Sequence, residues 1–149
     1  MTAGWLAALV AVASCGTPVR PAPPRPPSRF APGFARLAVA IVDVGAQADP
    51  RSRRQVITLT LTDGAGAEHV LHRRFVDGTC AIDAARGRRD DLEADAALLV
   101  VIDCPHAVPT PVRLTAVLDR GALRVIAPEG EQEFATPSPF DVVAGEPPE

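Results

Sequence analysis

Residues 57–62 read Ile-Thr-Leu-Thr-Leu-Thr. Alternation this strict points to a half-buried β-strand, because successive strand side chains point to opposite faces, whereas a helix would scatter the same leucines around its circumference. The run ends at Asp63-Gly64-Ala65-Gly66, a hairpin turn signal, and a further strand is predicted around 70–76. Upstream, Leu37, Val39 and Ile41 share one face of a first strand. Downstream, Leu98 to Ile102 is apolar on both faces, as a central strand is. Val112, Leu114, Ala116 and Leu118 alternate with Arg113, Thr115 and Asp119, and Asp119-Arg120-Gly121 turns into 123–127. With short pieces at 79–83 and 132–135, the count reaches seven or eight strands over about 105 residues. The prediction is an all-β domain over 34–145, an antiparallel two-layer β-sandwich. Between its strands, 84–97 reads as a short helix or a charged loop, with Gly87 weighing against the helix. The proline-containing tail, 146–149, is expected to fray.

Before residue 34 the chain cannot build a sheet. Seven of the fifteen residues from Pro18 to Pro32 are proline, which removes ladder donors and blocks helix, so 15–33 is expected to be an extended, disordered spacer. At about 3.1 Å per residue, a polyproline-like run of this length spans on the order of 50 Å. Its Pro21 to Pro24 spacing also fits an SH3-type ligand, although a spacer is the simpler reading.

Composition removes whole reaction classes. All fifteen basic residues are arginines, so Schiff-base chemistry, a phosphate-loop lysine and a lysine general base are excluded. There is no tyrosine, and the aromatics are five phenylalanines and Trp5, which leaves little to stack on sugars or bases. Every acid lies after Arg36, so the body from Leu37 onward carries a net charge of -7, unsuited to binding nucleic acid.

Trp5 to Ala13 is a nine-residue apolar run, about half of what a helix needs to cross a bilayer, and small residues follow it. That reads as an export signal over 1–14. The four residues Val12-Ala13-Ser14-Cys15 resemble the lipobox of bacterial lipoproteins. The resemblance covers about the first seventeen residues, and it departs from the family in one respect: Met1-Thr-Ala-Gly4 carries no basic residue. It implies cleavage before Cys15, acylation of that cysteine and a membrane partner reached through the lipid. Gly16 in place of an aspartate then implies the periplasmic face of an outer membrane; a soluble periplasmic or secreted protein is the alternative.

With Cys15 assigned to the anchor, Cys80 and Cys104 remain as a pair in an oxidising compartment, where they are expected to form a disulfide. A reactive thiol at Cys104-Pro-His106 is the alternative, without a C-x-x-C motif to support it. His69, His72 and His106 are weak metal candidates. Residues i and i+3 of a strand face opposite ways, so His69 and His72 share an ion only if a bulge intervenes. The mature chain keeps Ser28, Ser52 and Ser138, none within G-x-S-x-G. The acids Asp90, Asp91, Glu93 and Asp95, and again Glu129, Glu131 and Glu133, lack calcium-loop spacing and read as solvated edges, as do the arginines of 51–54 and 86–89. No catalytic residue, metal or cofactor is expected. The leading expectation is a non-enzymatic binding or assembly module whose partner is an envelope protein or polymer; a small-ligand or metal carrier using His106 and nearby acids is the alternative, followed by a thiol-redox or hydrolytic enzyme.

Overall fold

The alternating run becomes the second of nine strands. The computed structural model describes residues 27–45, 53–84 and 96–145. These hold β1 (Gly33–Asp43), β2 (Arg54–Thr62), β3 (Glu68–Asp77), β4 (Ala81–Ala84), β5 (Ala96–Cys104), β6 (Val112–Asp119), β7 (Ala122–Ala127), β8 (Gly130–Ala135) and β9 (Phe140–Gly145), and no helix. One sheet runs β3-β2-β1-β9 and the other β4-β5-β6-β7-β8. Leu37, Ile57, Leu59 and Leu61 from the first meet Ile102, Leu114, Leu123 and Val125 from the second in one core, all nearly inaccessible to water. The alternating positions thus face inward as their period requires, and each such side chain contributes about 1.5–3 kcal/mol on burial. The sandwich is the expected one.

Two details correct the expectation. The described residues hold nine strands rather than seven or eight, and the pairing is not wholly antiparallel: β9 runs parallel to β1, from Gly33 against Phe140 to Ala38 against Gly145. Residues 136–139 carry the chain from the edge of one sheet to the other, where β2 already occupies one side of β1. A strand's direction after such a crossing is set by the crossing, not by its residues.

The spacer expectation, 15–33, also runs too far. Phe30 is buried at 3% exposure among the rings of Phe134, Phe140 and His69, stacked on Phe140 with centroids 6.0 Å apart. Ser28 Oγ donates to the carbonyl of Ala135 at 2.6 Å. The backbone of Pro32 lies so close to the β2–β3 turn that a Cβ on Gly64 would sit 1.9 Å from the Pro32 oxygen, a contact only glycine permits. Residues 28–32 therefore belong to the folded unit, because a buried aromatic ring outweighs the lost ladder donors of its proline neighbours.

Candidate functional site

Asp63 stands at the first position of the β2–β3 turn with its carboxylate buried. The amides of Ala65 and Ala67 donate to Oδ1 at 3.0 and 3.1 Å, which folds the turn around the side chain. Oδ2 accepts from the amide of Ala31 at 3.0 Å and from His69 Nε2 at 2.8 Å, and since an ionised carboxylate only accepts, that ring nitrogen carries the proton. The Ala31 amide first, then His69, holds the Asp63 carboxyl well below the usual carboxylate range, against the opposing effect of burial. The cluster has the look of a polar site, yet its partners are two amides of its own turn, the Ala31 amide of the entering chain and a ring that packs edge-on against Phe30. Its work is to clip the entering chain to the hairpin.

Asp63→Asn is expected to lower the melting temperature by on the order of 10 °C at neutral pH, because an amide nitrogen would confront N–H donors at one of the two oxygen positions. The folded-state pKa lies below the unfolded one, so the stabilisation is fully present above about pH 4 and is lost as pH falls below it. Melts of the variant across that range should have a flatter acid slope than wild type. Equal slopes would show that the carboxylate is not the acid-sensitive group.

His72 and His69 fall on the same side of β3, because the condition for that is met. Leu59 pairs with His72 and Thr60 with Val70, leaving Leu71 as a bulge, so both histidines lie opposite inward leucines. They are not joined into a ligand set: His69 is bound to Asp63, while His72 Nε2 is buried without a hydrogen-bond partner among the described residues. His106 lies exposed in the turn after β5. Among the described residues no three His, Cys, Asp or Glu side chains converge as metal ligands do.

Cys80 and Cys104 are bonded to each other, with Cα atoms 4.2 Å apart across the β4–β5 pairing, so neither presents a thiol. The amide of Cys80 donates to Gln55 Oε1 at 2.7 Å, a buried bond from the bonded cysteine to the other sheet, and Gln55 Nε2 donates to the exposed Asp43 at 2.9 Å. Ser28 is engaged structurally, as above. Glu129 is paired with Arg74, whose hydrogen bond is the main cause holding its carboxyl below the usual range. Glu131 lies 3.2 Å from Arg124. Cys15, Ser52, Asp90, Asp91, Glu93, Asp95 and the arginines of 86–89 lie outside the described residues.

The two outer faces differ in character. On the five-stranded sheet, Arg113 approaches Asp83 at 3.9 Å and Arg124 bridges Asp119 and Glu131, giving a surface laced with ion pairs. On the four-stranded sheet the outward positions of β2 are Val56, Thr58, Thr60 and Thr62, paired with Phe75, Arg73, Val70 and Glu68 of β3. Val42, Phe34 and Val143 complete that face, and Phe34 and Val70 are 62% and 60% exposed. Phe75 stands between two guanidinium groups, Arg54 at 5.2 Å and Arg73 at 5.5 Å from its ring centroid. Sequence reading had the alternation that turns these residues outward but not their grouping, because strand order decides which outward residues become neighbours. No protein-family model, curated protein or solved structure matches the chain.

Proposed function

We propose that the chain is a non-catalytic binding module, tethered by a lipid on Cys15 to the periplasmic face of an outer membrane, that receives a protein partner on the outer face of its four-stranded sheet. The observation that supports this reading is a difference of degree between the faces: the five-stranded one exposes Ile126 among three ion pairs, whereas the four-stranded one, with the Arg54–Asp77 pair at its edge, offers Phe34, Val42, Val70, Phe75 and Val143 to water. Val42, Val56 and Phe75 form one cross-strand row at one end of that face, Val70 lies two outward rows along, and Phe34 and Val143 lie at the other end; exposed apolar side chains mark interaction surfaces, and aromatic residues and arginines carry much of the energy of such interfaces. Arg54 is already paired with Asp77, so Arg73 beside the Phe75 ring sets the chemistry of the partner. It must place a carboxylate beside an apolar side chain, the first for Arg73 and the second for the ring. The lipobox resemblance at Val12-Ala13-Ser14-Cys15 supports the tether.

A photo-crosslinking residue placed at Val42 or Val70, in the native host, is expected to trap one protein, while the same residue at Arg113 on the charged face traps none. Phe75→Ala should weaken that complex at least tenfold, as truncation of an interface aromatic beside an arginine does. Crosslinks of equal yield from both faces would overturn the docking surface. The intact mass of the membrane-purified protein tests the tether separately: an unacylated chain beginning at Met1 would remove it.

A further inference from the structure

β3 is the outermost strand of the four-stranded sheet, and among the described residues no strand lies beyond it. The direction of its backbone groups follows from the two ends of its ladder with β2. The amide of Asp63 donates to the carbonyl of Ala67 at 3.0 Å, and the amide of Gly78 donates to the carbonyl of Arg53 at 2.7 Å. Bonded pairs alternate with non-bonded ones in an antiparallel ladder. Counting inward from both ends, residues 69, 71, 72, 74 and 76 turn toward β2, with Leu71 and His72 both opposing Leu59 at the bulge. Glu68, Val70, Arg73, Phe75 and Asp77 therefore turn their N–H and C=O groups to the open edge. Asp77 agrees with the count, because its carbonyl accepts from the amide of Val108 at 2.9 Å on that side, which closes the edge there.

The bulge makes that edge selective. A regular strand presents its edge groups at every second residue, whereas those of Val70 and Arg73 are three residues apart. A strand carrying the same bulge matches this spacing, and a second copy of β3 is such a strand. Run antiparallel with Val70 opposite Arg73 of the second copy, it also puts Glu68 opposite Phe75 of the second copy, and every edge-facing residue from 68 to 75 finds a partner. Pairing stops short of the closed position at Asp77. The side chains suit the same register. All four are exposed on the outer face, and the diagonal neighbours are Glu68 with Arg73 of the second copy and Val70 with Phe75 of the second copy, within reach of long and aromatic side chains. The carboxylate and the apolar side chain that Arg73 and Phe75 require thus stand two residues apart on β3 itself.

We propose that the partner received at this face is a second copy of the chain, joined antiparallel through the two β3 edges about a two-fold axis, so that the two four-stranded sheets merge into one continuous sheet. Such a contact closes on itself, since each copy presents the same edge to the other. The inference rests on the docking reading above and names the partner of the same residues.

Sedimentation of the full-length protein over a range of concentrations is expected to show a monomer–dimer equilibrium, with the amides of Val70, Arg73 and Phe75 gaining hydrogen-exchange protection as the dimer fills. Glu68→Arg or Arg73→Glu alone places like charges at both symmetric contacts and should weaken the dimer roughly tenfold or more. Glu68→Arg combined with Arg73→Glu restores opposite charges in the same register and should recover most of the lost affinity, which neither a misfolded variant nor a non-specific contact would do. The proposal is overturned by a chain that stays monomeric at about 1 mM, by a double variant no better than the single ones, or by protection at these amides that does not depend on concentration. A monomer that still crosslinks a different protein from Val70 in its host removes the second copy and leaves the docking face standing. Equal crosslinks from both faces remove both.

Discussion

Phe30→Ala is expected to cost about 3–5 kcal/mol, the range for deleting a buried aromatic ring from a packed core. The ring is 3% exposed and touches groups from four separate places: His69 on β3, Phe134 on β8, Phe140 on β9, and Arg29 beside it, whose guanidinium lies over both Phe30 and Phe134. Removing it leaves a cavity walled by three strands that cannot collapse together, because each is fixed by its own ladder. It also frees the neighbouring segment that delivers the Ala31 amide to Asp63. The variant should therefore lose stability and, with the Asp63 carboxyl less strongly held below its ordinary range, show a flatter acid slope than wild type. Chemical denaturation of wild type and variant checks this. A loss under 1 kcal/mol would mean that residues 28–32 rest on the sandwich without being part of its core.

Replacing Cys80 and Cys104 together by alanine is the second large effect, expected at about 3 kcal/mol from the loop the bond closes, with a sequence separation of 24. Both cysteines also sit in the core, Cys104 wholly inaccessible and Cys80 at 8% exposure, so lost side-chain packing adds to the loop term. The consequence should be local as well as global. β4 has only four residues and a single strand neighbour, β5, so the bond supplies much of what holds it in the sheet. Hydrogen exchange is expected to rise first at 81–84 and at the Cys80 amide bonded to Gln55. Identical melting of oxidised and reduced wild-type protein would show that the bond adds nothing to the native state.

These cases also mark what the sequence makes legible. Ile-Thr-Leu-Thr-Leu-Thr at 57–62 and Val112 to Asp119 announce strands because burial on one face imposes a period of two, and the Asp-Gly-Ala-Gly turn announces its hairpin because only certain residues tolerate the backbone there. Phe30 escapes because one aromatic among prolines has no period to detect. β9 escapes because Phe-Asp-Val-Val-Ala-Gly is only six residues, too short for its alternation to stand out, and its parallel pairing depends on a partner more than 100 residues away. The bulge at Leu71, which puts His69 and His72 on one side, leaves no trace in their spacing. Among site residues, the cysteine pair was readable from number, given the expectation of export. Arg120 was readable only as part of a turn, since a positive φ belongs to the backbone and not to the side chain. The grouping of Phe75 with Arg54 and Arg73 required strand register.

The parallel β1–β9 pair has a kinetic consequence. β5, β6, β7 and β8 follow one another as neighbours in their sheet, so each contact there closes a short loop and forms early. β1 pairs with β2 across a short connection, but its other side must wait for a strand from the far end of the described chain, and loop closure over that distance is slow. During the delay, the edge of β1 at 33–38 stands without its neighbour, with Phe34 and Leu37 beside unpaired backbone groups. Such an edge invites pairing with another chain. The same late strand that completes the sheet thus sets the window in which newly made copies are most prone to aggregate.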